Sequence, residues 1–373
     1  MEHKVKKLTV KYNGKIVGYL AELENGKLAF QYDEKWVKNG FSISPFSLPL
    51  DTSIRYGDKD LFGGLFGVFQ DSLPDGWGEL LVRRQLASKG ENYDNLTPIE
   101  KLMLVGDDGL GALTYEPNKA TTDISRAIDL EEVAKSARKV YDDEDYGTSL
   151  DMIYNYAGSS GGARPKAHIK NGNEFWIVKF ACRADPDDIG KKEYYANLFA
   201  EQCGVKVNEF KLFDSEKCSG YFGSKRFDRD ENGNRIHMVS LSSLLETTHR
   251  IPNLDYMHLF QVIQNICVSK NEDMYEAFRR MVFNVFFGNK DDHGKNFAFI
   301  YDEKLKGYRL SPAYDLTKVR NKAEHEMTVN GNGNPTEEDM LVVAKQMKLS
   351  IAKCKEIIKK TKSVLHIEDV YQK

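Results

Sequence analysis

The sequence is poor in the features that mark secreted, membrane-bound or DNA-binding chains. It has only five cysteines in 373 residues, at 182, 203, 218, 267 and 354, and no two of them form a CxxC pair. That spacing suggests neither a disulfide framework nor a thiolate zinc site, and leaves the free thiols of a cytoplasmic chain as the expectation. No apolar run approaches the roughly 18 residues that a membrane-spanning helix needs. The most apolar stretch, Met281-Val282-Phe283-Asn284-Val285-Phe286-Phe287, is far too short and reads as part of a buried helix. Charged residues interrupt each apolar run near the N-terminus, so no secretory pattern is seen. A basic excess is also missing: the formal net charge is −3, which argues against tight DNA binding by this chain alone. Internal repeats and low-complexity segments are absent. What is present is 41% hydrophobic residues, enough for the cores of two or three domains.

The pattern along the chain implies an α+β protein. Short apolar runs at 8–12, 16–21 and 28–32 read as strands, and Asn13-Gly14 and Asn25-Gly26 between them are hairpin signals. Residues 65–86 read as largely helical, with Leu73-Pro74-Asp75-Gly76 as a start or break, and a strand ends near Tyr115. The expected division is a β-rich N-terminal subdomain over 1–118 and a linker and helix over 119–140, with the amphipathic helix at Leu130–Val140. A catalytic region over 141–373 follows, its first lobe at about 141–228 and a largely helical second part at about 229–373.

Two polar clusters carry the chemistry. The first is Gly158-Ser159-Ser160-Gly161-Gly162-Ala163-Arg164-Pro165-Lys166. Small residues let backbone N–H groups approach an anion, and Arg164 and Lys166 add positive charge. An ordinary flexible loop is the plain alternative. The loop leads into a strand at 167–169, a turn at Asn171-Gly172-Asn173 and a strand at 175–180 that contains Lys179. A lysine in so apolar a strand either lies at a sheet edge or points into a nucleotide cleft, as the strand lysine of protein kinases does. Glu193, near the start of a helix over 192–200, is a candidate to pair with it; a solvated helix charge is the plain reading.

The second cluster is Gly288-Asn289-Lys290-Asp291-Asp292-His293-Gly294-Lys295-Asn296, between the apolar helix and a strand at 297–301. A solvated connecting loop is the simple reading. The spacing argues for phosphoryl transfer: protein kinases place a catalytic Asp five residues before a Mg²⁺-binding Asn, and Asp291 and Asn296 are five apart. Asp291 would take or orient the proton of the attacking hydroxyl, Asn296 would offer a hard oxygen to Mg²⁺, and Lys295 would neutralise charge on the transferring group. Asp292 competes with Asp291 for the base role. Downstream, Leu310-Ser311-Pro312-Ala313-Tyr314-Asp315 supplies a second hard ligand in Asp315, which alone would be a turn aspartate. Glycine loop, strand lysine, Asp…Asn and Asp come in the order found in kinases.

These same motifs, with Arg226-Phe227-Asp228-Arg229, Asp71-Ser72-Leu73-Pro74-Asp75 and Gly106-Asp107-Asp108-Gly109-Leu110-Gly111-Ala112-Leu113, resemble the HipA family of bacterial toxin kinases over nearly the whole chain. The resemblance implies a kinase-like two-lobed catalytic region that uses ATP and Mg²⁺. It implies Asp291 as catalytic aspartate and Asn296 and Asp315 as metal ligands. ATP-binding positions would be Ser160, Gly161, Gly162, Ala163, Arg164, Lys166, Lys179, His293 and Tyr314, with Lys225, Arg226 and Phe227 as the adenine hinge. It implies autophosphorylation at Ser159, with Ser160 adjacent, which ejects the loop and silences the enzyme; a phosphoserine's charge of about −2 would oppose ATP phosphates. Family members act on a Ser or Thr of a translation factor, typically an aminoacyl-tRNA synthetase, and pair with a small helix-turn-helix antitoxin (HipB-like) that supplies the DNA affinity. Two other classes fit the motifs less fully: a small-molecule or lipid phosphotransferase of kinase-like fold, and a non-catalytic antitoxin-binding co-repressor.

Overall fold

The computed structural model describes residues 5–105, 109–119, 129–143, 149–157, 161–248 and 250–371. Gly158, Ser159 and Ser160 therefore lie outside the described residues, as do Gly106, Asp107, Asp108 and most of the 119–128 linker. The chain forms two compact units: one of Met1–Lys191, Lys211–Val239 and Ser243–Thr247, the other of Lys192–Phe210, Ser240–Ser242 and Thr248–Lys373.

The first unit opens with β1 (Lys7–Tyr12), β2 (Lys15–Glu22) and β3 (Leu28–Tyr32), joined at the two Asn-Gly turns. With β4 (Arg55–Tyr56) and β5 (Leu113–Glu116) they form an antiparallel sheet of order β4-β3-β2-β1-β5. Alternation sets its inner face: Leu8, Val10 and Tyr12 of β1 are buried while the residues between them are not. The helices α1 (Glu34–Asn39), α2 (Gly67–Gln70), α3 (Trp77–Ser88) and α4 (Pro98–Met103) lie between β3 and β5 in the chain. The helix expected over 65–86 is thus two helices, broken at Leu73–Gly76, where Pro74 has no N–H to donate.

The unit continues with α5 (Leu130–Tyr141) and α6 (Ser149–Ala157), then β6 (Lys166–Asn171) and β7 (Glu174–Lys179). After α7 (Ile189–Gln202), which belongs from Lys192 on to the second unit, come β8 (Phe210–Phe213), β9 (Tyr221–Lys225) and β10 (Met238–Ser240). The second sheet has the order β6-β7-β9-β8. Its core joins Trp176, Val178 and Phe180 to Trp77 and Leu81 of α3, Val133 and Ala137 of α5 and Ile153 of α6. β7 is an inner strand, so an edge position does not account for Lys179. Period two puts Lys179 with Phe175 and Ile177 on the face opposite Trp176 and Val178.

After α8 (Leu241–Leu244), whose residues are divided between the units, the second unit is mainly helical: α9 (Tyr256–Ile266), α10 (Lys270–Phe287), α11 (Glu337–Gln346) and α12 (Ile351–Tyr371). β11 (Leu254–Asp255) pairs in parallel with β14 (Met327–Thr328), and β12 (Ala298–Asp302) forms an antiparallel hairpin with β13 (Gly307–Leu310). α10 is buried over most of its length, apolar residues such as Phe278, Met281, Val282 and Phe283 alternating with buried polar ones. Phe283 and Phe287 stack at 4.8 Å and pack with Ala196, Ala200, Leu316 and Leu365. Mixed helix and strand with this organisation is an α+β fold. None of the described helices is long and apolar enough to cross a membrane.

Candidate functional site

α10 carries four polar residues at helical spacing inside this apolar surround: Asp273, Glu276, Arg280 and Asn284, all buried. Burial without partners would cost several kcal/mol each, and each side chain has at least one partner, although Arg280 Nη1 makes no hydrogen bond to a described residue. Asp273 pairs with Arg309 on β13 at 3.1 Å. Glu276 binds Arg280 at 2.9 Å and accepts from the Lys206 N–H. Arg280 also donates to the Ser311 carbonyl. Asn284 donates to the Tyr256 hydroxyl at 2.9 Å and accepts from the Asn289 amide at 3.0 Å. This stripe runs down the helix to the stretch that carries the predicted chemistry. Gly288 ends the helix at φ +82°, a left-handed value that favours glycine, and its N–H caps the Asn284 carbonyl.

Beyond Gly288 the two adjacent aspartates part company. Asp292 is fully buried. Its Oδ2 accepts from the Tyr256 hydroxyl at 2.9 Å and from His325 Nδ1 at 2.8 Å, and its Oδ1 accepts from the Glu326 N–H at 3.0 Å and the Met327 N–H at 3.4 Å. A carboxylate only accepts, so His325 carries its proton on Nδ1. Burial, with the Asp292 charge second, pushes the Tyr256 phenol well above its usual range. Asp291 is different: its side chain is 39% exposed, Oδ1 takes the Lys322 ammonium at 2.5 Å, and no described residue donates to Oδ2.

The rest of the loop folds around Asp291. His293 precedes a single 3₁₀ turn, Gly294–Asn296, and the Asn296 N–H donates to its carbonyl. The turn fits closely: a Cβ on Gly294 would come 2.5 Å from Ser242 Oγ and 2.6 Å from Leu254 Cδ1. Asn296 Nδ2 donates to the Asp291 carbonyl at 2.7 Å. A carbonyl accepts only from the amide nitrogen, so Asn296 Oδ1, the hard oxygen, is left for another partner. The Tyr314 hydroxyl donates to the Lys295 carbonyl at 2.6 Å, which ties the segment before Asp315 to the same loop. Asp315 itself adopts φ +53°, a conformation that aspartate tolerates better than most residues. The described residues hold no group of three or more His, Cys, Asp or Glu arranged for a metal. Mg²⁺ needs no such cage, since it keeps several waters and takes phosphate oxygens beside one or two protein ligands.

In the first unit, the glycine loop is held at its base. The Gly162 N–H donates to Asp75 Oδ1, and the Gly162 carbonyl accepts from the Trp77 N–H at 2.8 Å. Trp77 Nε1 donates to the Lys166 carbonyl at 3.0 Å. So Asp75 in the Leu73–Gly76 break and Trp77 at the start of α3 anchor residues 87 and 89 positions on. Lys166 is buried and donates to the Gly161 carbonyl, Arg164 is paired with Asp185, and Lys166 is the cross-strand neighbour of Lys179. Lys225 pairs with Glu174 at 2.8 Å. Phe227 follows β9 and is half-buried, between Arg226 and Asp228, both of which are buried. Arg226 binds Asp228 through two nitrogens, at 2.7 and 2.9 Å, and the Gly109 carbonyl at 2.9 Å. Burial would raise the Asp228 carboxyl, but Arg226 and Arg229 outweigh it and hold it well below the carboxylate range. Glu193 is buried on α7 in the second unit, whereas Lys179 belongs to the first.

The residues that sequence reasoning missed are Lys322, Glu326, His325, Tyr256 and the α10 stripe. The stripe had a readable signal, polar residues three or four apart in an apolar helix. Lys322 had none, since it reaches Asp291 from 31 positions away in a segment without periodicity.

The comparisons with known proteins fall on this geometry. A solved structure of the toxin HipA of Shewanella oneidensis MR-1, in complex with HipB and its operator DNA, superposes with a TM-score of 0.71. It covers 95% of this chain and 88% of that one at 19% identity. The fold is therefore a HipA-like kinase fold. The HipA N-terminal domain matches residues 8–116 and the HipA-like C-terminal domain residues 158–367, so the chain belongs to the HipA family. Two proteins of Sinorhizobium fredii with provisional kinase names are similar over most of their length. Y4dM is 25% identical, covering 89% of this chain and 82% of its own, and Y4mE is 23% identical, covering 84% and 77%.

Proposed function

We propose that this chain is an ATP- and Mg²⁺-dependent serine/threonine protein kinase, the toxin partner of a HipB-like helix-turn-helix antitoxin, acting in the cytoplasm. The observation that carries this reading is the division of labour between two neighbours. Asp292 spends both oxygens on the fold, while Asp291 keeps Oδ2 open and holds Asn296 by its backbone carbonyl. Asp291 is the acceptor of the hydroxyl proton. Asn296 and Asp315 would hold Mg²⁺, which when bound offsets charge on the ATP phosphates. Lys179, the glycine loop from Gly161 to Lys166, His293 and Tyr314 bind ATP, with Lys225 to Phe227 as the hinge. At Arg226 the inward side chain leaves that role to the backbone. Lys295 neutralises the transferring group, and Glu193 orients Lys179. Membership of the HipA family supports a translation factor, such as an aminoacyl-tRNA synthetase, as substrate. It also supports autophosphorylation at Ser159, or Ser160 beside it. DNA is then reached through the antitoxin.

The purified chain, incubated with ATP labelled on the γ-phosphate and Mg²⁺ in a clarified cell lysate, should label one or a few protein bands. Acid-stable label on Ser or Thr is the expected result. Label found only in lipid or metabolite fractions would replace this reading with a small-molecule phosphotransferase.

A further inference from the structure

The segment after Asp315 crosses back over the loop that carries Asp291, and two lysines bind it there in opposite senses. Lys290 reaches out and donates to the carbonyls of Lys322 and Ala323, at 3.2 and 2.7 Å. Lys322 reaches in and donates to Asp291 Oδ1 at 2.5 Å and to Glu326 Oε1 at 2.6 Å. Glu326 is fixed in turn, because its N–H donates to Asp292 Oδ1. The Val319 N–H bonds to the Gly288 carbonyl at 3.0 Å, so the crossing is anchored upstream as well. Burial opposes the charge of Lys322, but its bonds to Asp291 and Glu326 outweigh this and raise its pKa.

The consequence for Asp291 is geometric. A half-exposed carboxylate on a loop turns freely about its last side-chain torsion, which is broad and roughly two-fold. Lys322 holds one oxygen and thereby aims the other. Among the described residues Lys322 is the one group that bonds to this carboxylate. We propose that Lys322 is a positioning residue for phosphoryl transfer, holding Asp291 Oδ1 so that Oδ2 faces the acceptor hydroxyl. The inference rests on the reading of Asp291 as proton acceptor. In that step the acceptor oxygen bonds to the γ-phosphorus, the bond from that phosphorus to the β–γ bridging oxygen breaks, ADP leaves, and the hydroxyl proton passes to Oδ2. Glu326 keeps the ammonium in place from its far side, so Lys322 stays anchored if Asp291 shifts during the step.

The experiment uses the full chain with γ-labelled ATP, Mg²⁺ and clarified lysate, and compares wild type, Lys322→Met, Lys322→Arg and Asp291→Asn. It measures the rate of label transfer to protein at saturating ATP, the ATP concentration giving half that rate, and the melting temperature. Lys322→Met should lower the saturated rate by roughly 10- to 100-fold, the scale expected when a reacting group is misplaced by about an ångström. The half-saturating ATP concentration should stay within about twofold and the melting temperature within about 2 °C, since the pair is partly exposed. Lys322→Arg should recover most of the lost rate by keeping a donor on Oδ1, a rescue that a filler of space would not give. A wild-type or faster rate in Lys322→Met, with Asp291→Asn inactive, overturns the role of Lys322 and leaves the site reading intact. A fully active Asp291→Asn overturns the site reading, and this inference with it.

Discussion

Asp228 and Asp291 each face a cation within hydrogen-bond distance, yet they are built for opposite purposes. Asp228 is closed in by Arg226, Arg229 and the Gly111 N–H, and its side chain is 4% exposed. Its neighbours engage both of its oxygens, and removing the carboxylate would leave two buried guanidiniums without their counter-charge. Asp291 has one cationic partner, Lys322, and an oxygen open to whatever arrives. The difference teaches that charge alone does not mark a working residue in this molecule. An acid that the fold leaves short of one partner is the one able to take a proton, and a saturated one holds the chain together. Asp292, beside Asp291, falls on the same side of that line as Asp228.

The sharpest way to break the comparison is to remove each charge with little change of shape. Asp291→Asn should cut label transfer by about 10³-fold or more, in the range for loss of a positioned general base, with melting unchanged. Growth arrest on overexpression of the wild type should be relieved by the same substitution. Wild-type transfer by this variant would move the base role elsewhere. Asp228→Asn should do the reverse, costing about 3–5 kcal/mol of stability because two buried guanidiniums lose their counter-charge. Chemical denaturation reads this directly. A change within error would mean that the closed cluster is less closed than its geometry implies.

How much of this was legible beforehand divides along the same line. Local pattern gave the three N-terminal strands, α5 almost to the residue, and the β6–β7 hairpin, because turn residues and periodicity are local physics. The Asp291…Asn296 spacing was legible for the same reason, since both residues sit on one short loop and bond to each other. The closed clusters were not. Arg226 read as a hinge residue, and the structure turns its side chain into a cluster with Asp228, which depends on contacts to Gly109 and Gly111 over a hundred positions away. The ambiguity between Asp291 and Asp292 had the same origin, since the groups that saturate Asp292 lie at 256, 325 and 326. Sequence spacing reveals partners a few residues apart, and burial recruits partners from anywhere.

The closed side of the comparison also predicts a pH dependence for the first unit. Burial lowers the His237 pKa to about 4, and burial followed by the Arg226 charge lowers that of His168 well below its usual value. His237 donates to the Ile43 carbonyl, which favours the protonated ring, but burial outweighs it. Between pH 6.5 and 4 the unfolded chain takes up a proton at each site that the folded chain refuses, so stability falls as pH falls. His237 alone accounts for up to about 3 kcal/mol over that window, and for nothing above it. Asp228 works with the opposite limit: its contribution is complete above an unfolded pKa of about 3.9 and is lost below it. Urea midpoints should therefore decline from pH 7 to pH 4.5. A chain carrying His237→Gln and His168→Gln should lose most of that slope, and an unchanged slope would place the titration in other groups.

The smallest effect tests the line where it is drawn most finely, between Asp291 and Asp292. Tyr256→Phe removes one oxygen from the buried network and keeps the ring, which meets Phe297 edge-on at 5.6 Å. Asp292 then loses one donor but retains His325 and two backbone N–H groups, and the Asn284 amide loses its acceptor. The cost should be about 1–3 kcal/mol, that of leaving a buried polar group short of a partner. If Asp292 serves the fold, melting should drop by several degrees while label transfer per folded molecule stays within about threefold, since Asp291, Lys322 and Asn296 are untouched. A collapse of transfer at unchanged melting would show Asp292 taking part in the chemistry. The two neighbouring acids would then share one task, and saturation by hydrogen bonds would no longer separate residues that hold the fold from residues that react.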